Sequence, residues 1–154
     1  MRAPSSVADI VISSVEGLPL HSVLGVDVRI LAGAEETGGA YASYHARCAK
    51  GAGAPPHRHE NADEAFFVLE GEFDILCGDR WRRARSGDHV FIPRGLVHGF
   101  TGASEASATL LGMCTPAGHE DFFRDAAALA ASGQMQAEAV MALCARHHIE
   151  LVMP

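Results

Sequence analysis

At 154 residues, 48% hydrophobic and 20% charged, the chain has the length of one domain with a real core and is too short for two. Its net charge of -7, from 12 basic and 19 acidic residues, excludes the basic footprint of a nucleic-acid binder and leaves a small molecule as the expected partner. No apolar run is long enough to span a bilayer, and the N-terminus lacks a signal-peptide core, so no membrane partner and a cytoplasmic location are expected.

Residues 1–20 carry β-branched residues and a turn-like Glu16-Gly17-Leu18-Pro19, which suggests a leading arm or extra strand. From 21 to 115, short apolar or alternating runs separated by glycine-rich punctuation predict an all-β barrel or sandwich. In 116–154 the texture becomes alanine-rich. Phe122, Ala126 and Leu129, then Ala139, Val140, Leu143 and Cys144, recur at helical spacing, with Gly133 as a C-cap, so two short helices form this tail. Cys48, Cys77, Cys114 and Cys144 are widely spaced and read as buried free thiols.

One hairpin is readable residue by residue. Gly78-Asp79 suits a two-residue loop, which sets Leu76 against Trp81, Asp74 against Arg83 and Glu72 against Arg85. The cluster of Arg80, Arg82, Arg83 and Arg85 is then a solvated salt-bridge face.

Two stretches carry chemistry. In "PPHRHENADEAFFVLEGE", His57 and His59 share one face of an extended segment, and Glu64 heads the next strand with Phe66 and Val68 on its face. Ala65, Phe67 and Leu69 make the other face apolar too, which predicts a strand sandwiched between layers. A glutamate at the head of such a strand needs a partner, and a metal ion beside two imidazoles would supply one. In "GDHVFIPRGLVHGF", a turn at Pro93-Gly95 precedes His98 and Phe100, giving a third imidazole a route to the same interior.

These residues resemble the cupin motifs. The first, G(X)5HXH(X)3,4E(X)6G, is matched by Gly51, His57, His59, Glu64 and Gly71; the second, G(X)5PXG(X)2H(X)3N, by Gly87, Pro93, Gly95 and His98. Gly102 stands where the terminal asparagine is usual, a departure expected to affect the following turn more than the metal. The resemblance covers residues 21–115 and implies a cupin double-stranded β-helix (jelly-roll) barrel followed by the two short C-terminal α-helices. It also implies that His57, His59, Glu64 and His98 hold one divalent transition metal. That donor set suits Fe, Ni, Mn, Zn, Cu or Co without selecting among them.

The tail beginning "TPAGHEDFF" makes the chain similar to quercetin-dioxygenase-like single-domain cupins. This implies a dioxygenase acting on an enolic or aromatic small molecule, with Glu64 as the catalytic base. The alternatives are a non-redox cyclase, isomerase or lyase of the polyketide-cyclase kind, and a cupin that binds a small molecule without catalysis. Phe66 and Phe100 are expected in the cavity wall. Tyr41, Ser43, His45 and Arg47 alternate with Ala42, Tyr44, Ala46 and Cys48, and parity does not say which set faces inward. His89 reads as a packing or surface residue, His147 and His148 as cations favoured at the end of the last helix, and His21 and His119 as surface residues. A homodimer is expected, with Val7, Ile10, Val11 and Ile12 as an exchanged arm.

Overall fold

The computed structural model describes residues 9–152. Its strands are, in chain order, β1 (His21–Val23), β2 (Val26–Ala32), β3 (Ala42–Cys48), β4 (Gly53–His59), β5 (Asp63–Glu70), β6 (Glu72–Cys77), β7 (Arg80–Arg85), β8 (His89–Ile92), β9 (His98–Gly102), β10 (Ala108–Thr115) and β11 (Ile149–Leu151). A single-turn helix α1 (Ala34–Thr37) follows β2, and α2 (His119–Ala131) and α3 (Ala137–Arg146) lie between β10 and β11.

The strands form two antiparallel sheets, ordered β1-β2-β3-β10-β5-β8 and β11-β4-β9-β6-β7. This is a jelly roll with two helices packed on it. Between the sheets lie Val28, Tyr44, Ala46, Phe66, Val68, Phe73, Ile75, Phe100 and Leu110. Period-2 alternation puts these side chains on the inner faces, and their burial supplies most of the driving force for closing the two layers.

The β6–β7 hairpin has the expected register: Leu76 faces Trp81, Asp74 faces Arg83 and Glu72 faces Arg85. Arg83 bridges both acids, at 2.7 Å to each, while Arg85 reaches Glu72 at 3.1 Å. Gly133 ends α2 with φ +74, in the left-handed region where a side chain is unfavourable.

Two expectations are corrected and a third is narrowed. β5 is not sandwiched: Phe67 and Leu69 are 41% and 38% exposed, because nothing among the described residues covers the outer face of its sheet. Cys77 is exposed, while Cys48, Cys114 and Cys144 are buried; all four are free. Residues 9–20 form a 3-10 turn (Val15–Gly17) and no strand, with Ile10, Val11 and Ile12 exposed; Val7 lies outside the described residues. Arg29 ties this segment down by donating to the carbonyl oxygens of Leu18 and Glu16.

Candidate metal centre

The cluster draws on both sheets. His57 and His59 project from one face of β4, and the β4–β9 register sets His57 opposite His98. A Cβ at Gly99 would stand 2.9 Å from the Ala54 carbonyl oxygen, so glycine permits the close approach of β9 to β4. Glu64 comes from β5 in the other sheet, opposite Cys114 of β10. His57, His59, Glu64 and His98 are all buried, and their ligand atoms lie within 4.8 Å of one another.

Hydrogen bonding on the outer side of two rings orients the inner side. His57 Nδ1 lies 2.7 Å from the Pro55 carbonyl oxygen and His98 Nδ1 lies 3.0 Å from that of Leu96. A carbonyl can only accept, so both Nδ1 atoms carry hydrogen and both Nε2 lone pairs point inward in the neutral rings. His57 Nε2 then sits 3.3 Å from His59 Nε2, while Glu64 Oε2 lies 2.7 Å from His59 Nε2 and 3.2 Å from His98 Nε2.

Acceptors facing acceptors in a buried site require a shared cation, either a proton or a metal ion. Burial pushes the His57 pKa down to about 4, helped by the neighbouring His98. Burial also acts to lower His98, but the hydrogen bond and charge of Glu64 outweigh it and leave that pKa raised. Burial alone would raise Glu64; hydrogen bonds from His59 and His98 outweigh it and hold the carboxyl well below its usual range. Three imidazole nitrogens and one carboxylate oxygen, preoriented by backbone carbonyls, are suited to a divalent transition metal.

Around the cluster stands a further set of groups. The Tyr44 hydroxyl donates to Glu64 Oε1 at 2.6 Å, which leaves Oε2 turned toward the histidines. Gly112 makes room for this tyrosine: its Cβ would fall 2.1–2.5 Å from Tyr44 ring atoms. His119, the first residue of α2, stacks on Phe122 with an interplanar angle of 11° and lies 4.7 Å, centroid to centroid, from the His59 ring. Burial lowers its pKa to about 3. Ligand atoms of Cys114, His119 and Glu64 also fall within 4.8 Å of one another. A cavity of about 270 Å³ opens onto His57, Glu64, Tyr44 and His119, with Phe100, Phe122 and Phe123 in its wall.

Residues 44–114 match the family described as Cupin domain. The barrel has the cupin fold. Quercetin 2,3-dioxygenase of Bacillus subtilis is 28% identical over 96 residues, covering 62% of this chain and 28% of that protein. Germin-like protein subfamily 2 member 4 of Arabidopsis thaliana is 35% identical over 82 residues, 50% of this chain and 36% of that protein. The chain spans about half or less of the length of the curated relatives it matches. Among solved structures, the polyketide cyclase RemF from Streptomyces resistomycificus superposes with a TM-score of 0.63 at 21% identity, over 70% of this chain and 80% of that one, a likeness of fold.

Of the other residues singled out in the sequence, Tyr44 faces inward with Ala42, Ala46 and Cys48, whereas Ser43, His45 and Arg47 take the outer face and Tyr41 is exposed. Phe100 lines the cavity and Phe66 packs behind it, ring centroids 5.3 Å apart. His147 pairs with Asp125 at 2.8 Å, joining α3 to α2. His119 is corrected: it is packed against the cluster. The signal for it was present, since His119, Phe122 and Ala126 continue one helical stripe by a turn toward the N-terminus.

Gly102 also gains a reason. A Cβ there would lie 2.7 Å from the Ala49 carbonyl oxygen, so no larger residue fits without moving that backbone.

Proposed function

We propose that this cupin is a metal-dependent dioxygenase of a small enolic or aromatic molecule, with His57, His59, Glu64 and His98 as ligands of one divalent ion. The observation that carries the reading is the inward-facing set of three imidazoles and one carboxylate, of which His57 and Glu64 line the polar end of an otherwise apolar cavity. When bound, such an ion supplies Lewis acidity and, if redox-active, electron relay toward O₂. The chain's own residues do the rest: Glu64 takes a proton from the substrate, Tyr44 fixes the carboxylate by its hydrogen bond to Oε1, and the aromatic wall excludes water. Similarity to quercetin 2,3-dioxygenase supports the oxygenase over other redox chemistries.

A non-redox cyclase, isomerase or lyase is the second reading. It is favoured by the Tyr44–Glu64 pair, a buried donor and base that can move protons without O₂. Elemental analysis of the untagged protein, beside a His57→Ala, His98→Ala variant, tests the centre; O₂ uptake with flavonols against anaerobic turnover separates the two chemistries. Iron, nickel, copper or manganese at near-unit stoichiometry, lost in the variant, with O₂ consumption, is expected. Failure of any divalent ion to load would sink the metal reading.

We also propose a homodimer. Phe67, Leu69, Phe91 and Met113 share the outer face of the first sheet and are exposed. A self-complementary contact would cover them.

A further inference from the structure

The cavity beside the cluster has an unusual chemical balance. Its polar groups are Tyr44, His57, Glu64 and His119, all at one end, and among the described residues no lysine or arginine lines it. The rest of the wall is apolar, and much of it comes from outside the matched cupin residues: Phe122, Phe123 and Ala126 from α2, Val140 and Leu143 from α3. A polyhydroxylated or multiply charged ligand would lose its water there with nothing to replace it. The volume of about 270 Å³ is close to twice the roughly 150 Å³ of an apolar cavity that holds one benzene ring.

Leu24 adds an independent observation. It lies at the first position of the two-residue β1–β2 turn, with φ +47, followed by Gly25 at φ +85. Asn or Asp is favoured at such a position, and a leucine there is held in a backbone conformation it resists. Leu24 is also 76% exposed, so it contributes little to the core, yet it lines the cavity. An exposed, strained apolar residue at the rim of an apolar chamber fits a role in covering a ligand.

We infer that this site takes a neutral compound with an apolar body of about two fused rings, and that Leu24 and the C-terminal helices set that preference. The inference rests on the reading of the cluster and cavity as one ligand site. It predicts rejection of sugar acids and other polyhydroxy carboxylates, whatever reaction follows.

The test is calorimetric titration of 2-naphthol and of D-galacturonate into metal-free and metal-reconstituted protein, with Leu24→Gly and Val140→Phe variants. The expected result is saturable naphthol binding in metal-free protein at least about tenfold tighter than galacturonate. Leu24→Gly should weaken naphthol by about three- to tenfold while the melting temperature holds or rises, since glycine accepts the positive φ. Val140→Phe, which fills the chamber, should remove binding. Galacturonate binding as tightly as naphthol would overturn the inference, as would an unchanged naphthol affinity in Leu24→Gly. Naphthol binding in a protein that loads no metal would sink the metal reading and leave this one standing; metal loading without naphthol binding would do the reverse.

Discussion

Replacing Tyr44 by Phe removes one oxygen and nothing else. That oxygen donates at 2.6 Å to Glu64 Oε1, and both residues are 3% exposed, so a replacing water would have to come from the adjoining, mostly apolar cavity and not from bulk solvent. The ring stays seated over Gly112, so no cavity forms and the loss is that of the hydrogen bond alone. A charge-assisted bond whose acceptor is left buried and unpaired is worth about 1.5–3 kcal/mol. With a urea m-value of about 2 kcal/mol/M, the unfolding midpoint of metal-free Tyr44→Phe should fall by about 1 M with m unchanged. Far-UV circular dichroism at pH 7 reads the transition. Metal affinity, measured separately by competition with a chelator, should fall about 10- to 100-fold because Glu64 is no longer oriented. A midpoint within about 0.2 M of wild type would refute the reasoning, for it would mean that Glu64 is satisfied without this hydroxyl.

Gly112→Ala should act on the same tyrosine from below, forcing its ring aside and lowering stability by about 1–3 kcal/mol in a thermal melt. Glu120 is 3% exposed and accepts the Gly118 and Ala34 amides at 2.7 and 2.9 Å; Glu120→Ala should cost about 2–4 kcal/mol by urea titration, and Glu120→Gln less. At pH 8 a thiol reagent should label Cys77 alone in the native protein, because burial raises the Cys48 pKa to about 12 and also raises Cys114 and Cys144; all four should react in denaturant. Phe91→Glu should convert the proposed dimer to a monomer by light scattering, since Phe91 is 61% exposed on the outer sheet face.

What was legible in the sequence had short-range geometry behind it. His57 and His59 share a face because a strand repeats every two residues, and a two-residue loop at Gly78-Asp79 dictates the pairing of every residue in its hairpin. Motif spacing brought in Glu64 and His98 because the turns between them have fixed lengths.

The remainder depends on contacts distant in sequence. Phe67 and Leu69 are as apolar as Phe66 and Val68, and composition alone cannot say which face of β5 another layer covers. The helical stripe places His119 on the same face as Phe122 and Ala126, but what that face meets, His59 included, depends on where α2 docks on the barrel. The parity of β3 was lost across the loop before β4 and restored only by its register with β2 and β10.

The place of β11 bears on the order in which the molecule can be assembled. This three-residue strand pairs with β4, the strand that carries His57 and His59, through Ile149–His59 and Leu151–His57. On its other side β4 has only β9. During synthesis, therefore, the histidine strand presents an open row of amides and carbonyls until about ninety further residues have left the ribosome. A nascent chain halted anywhere in α2 or α3 holds all four candidate ligands yet leaves that row unpaired, and it is at this stage that strand-to-strand aggregation between copies has its opportunity.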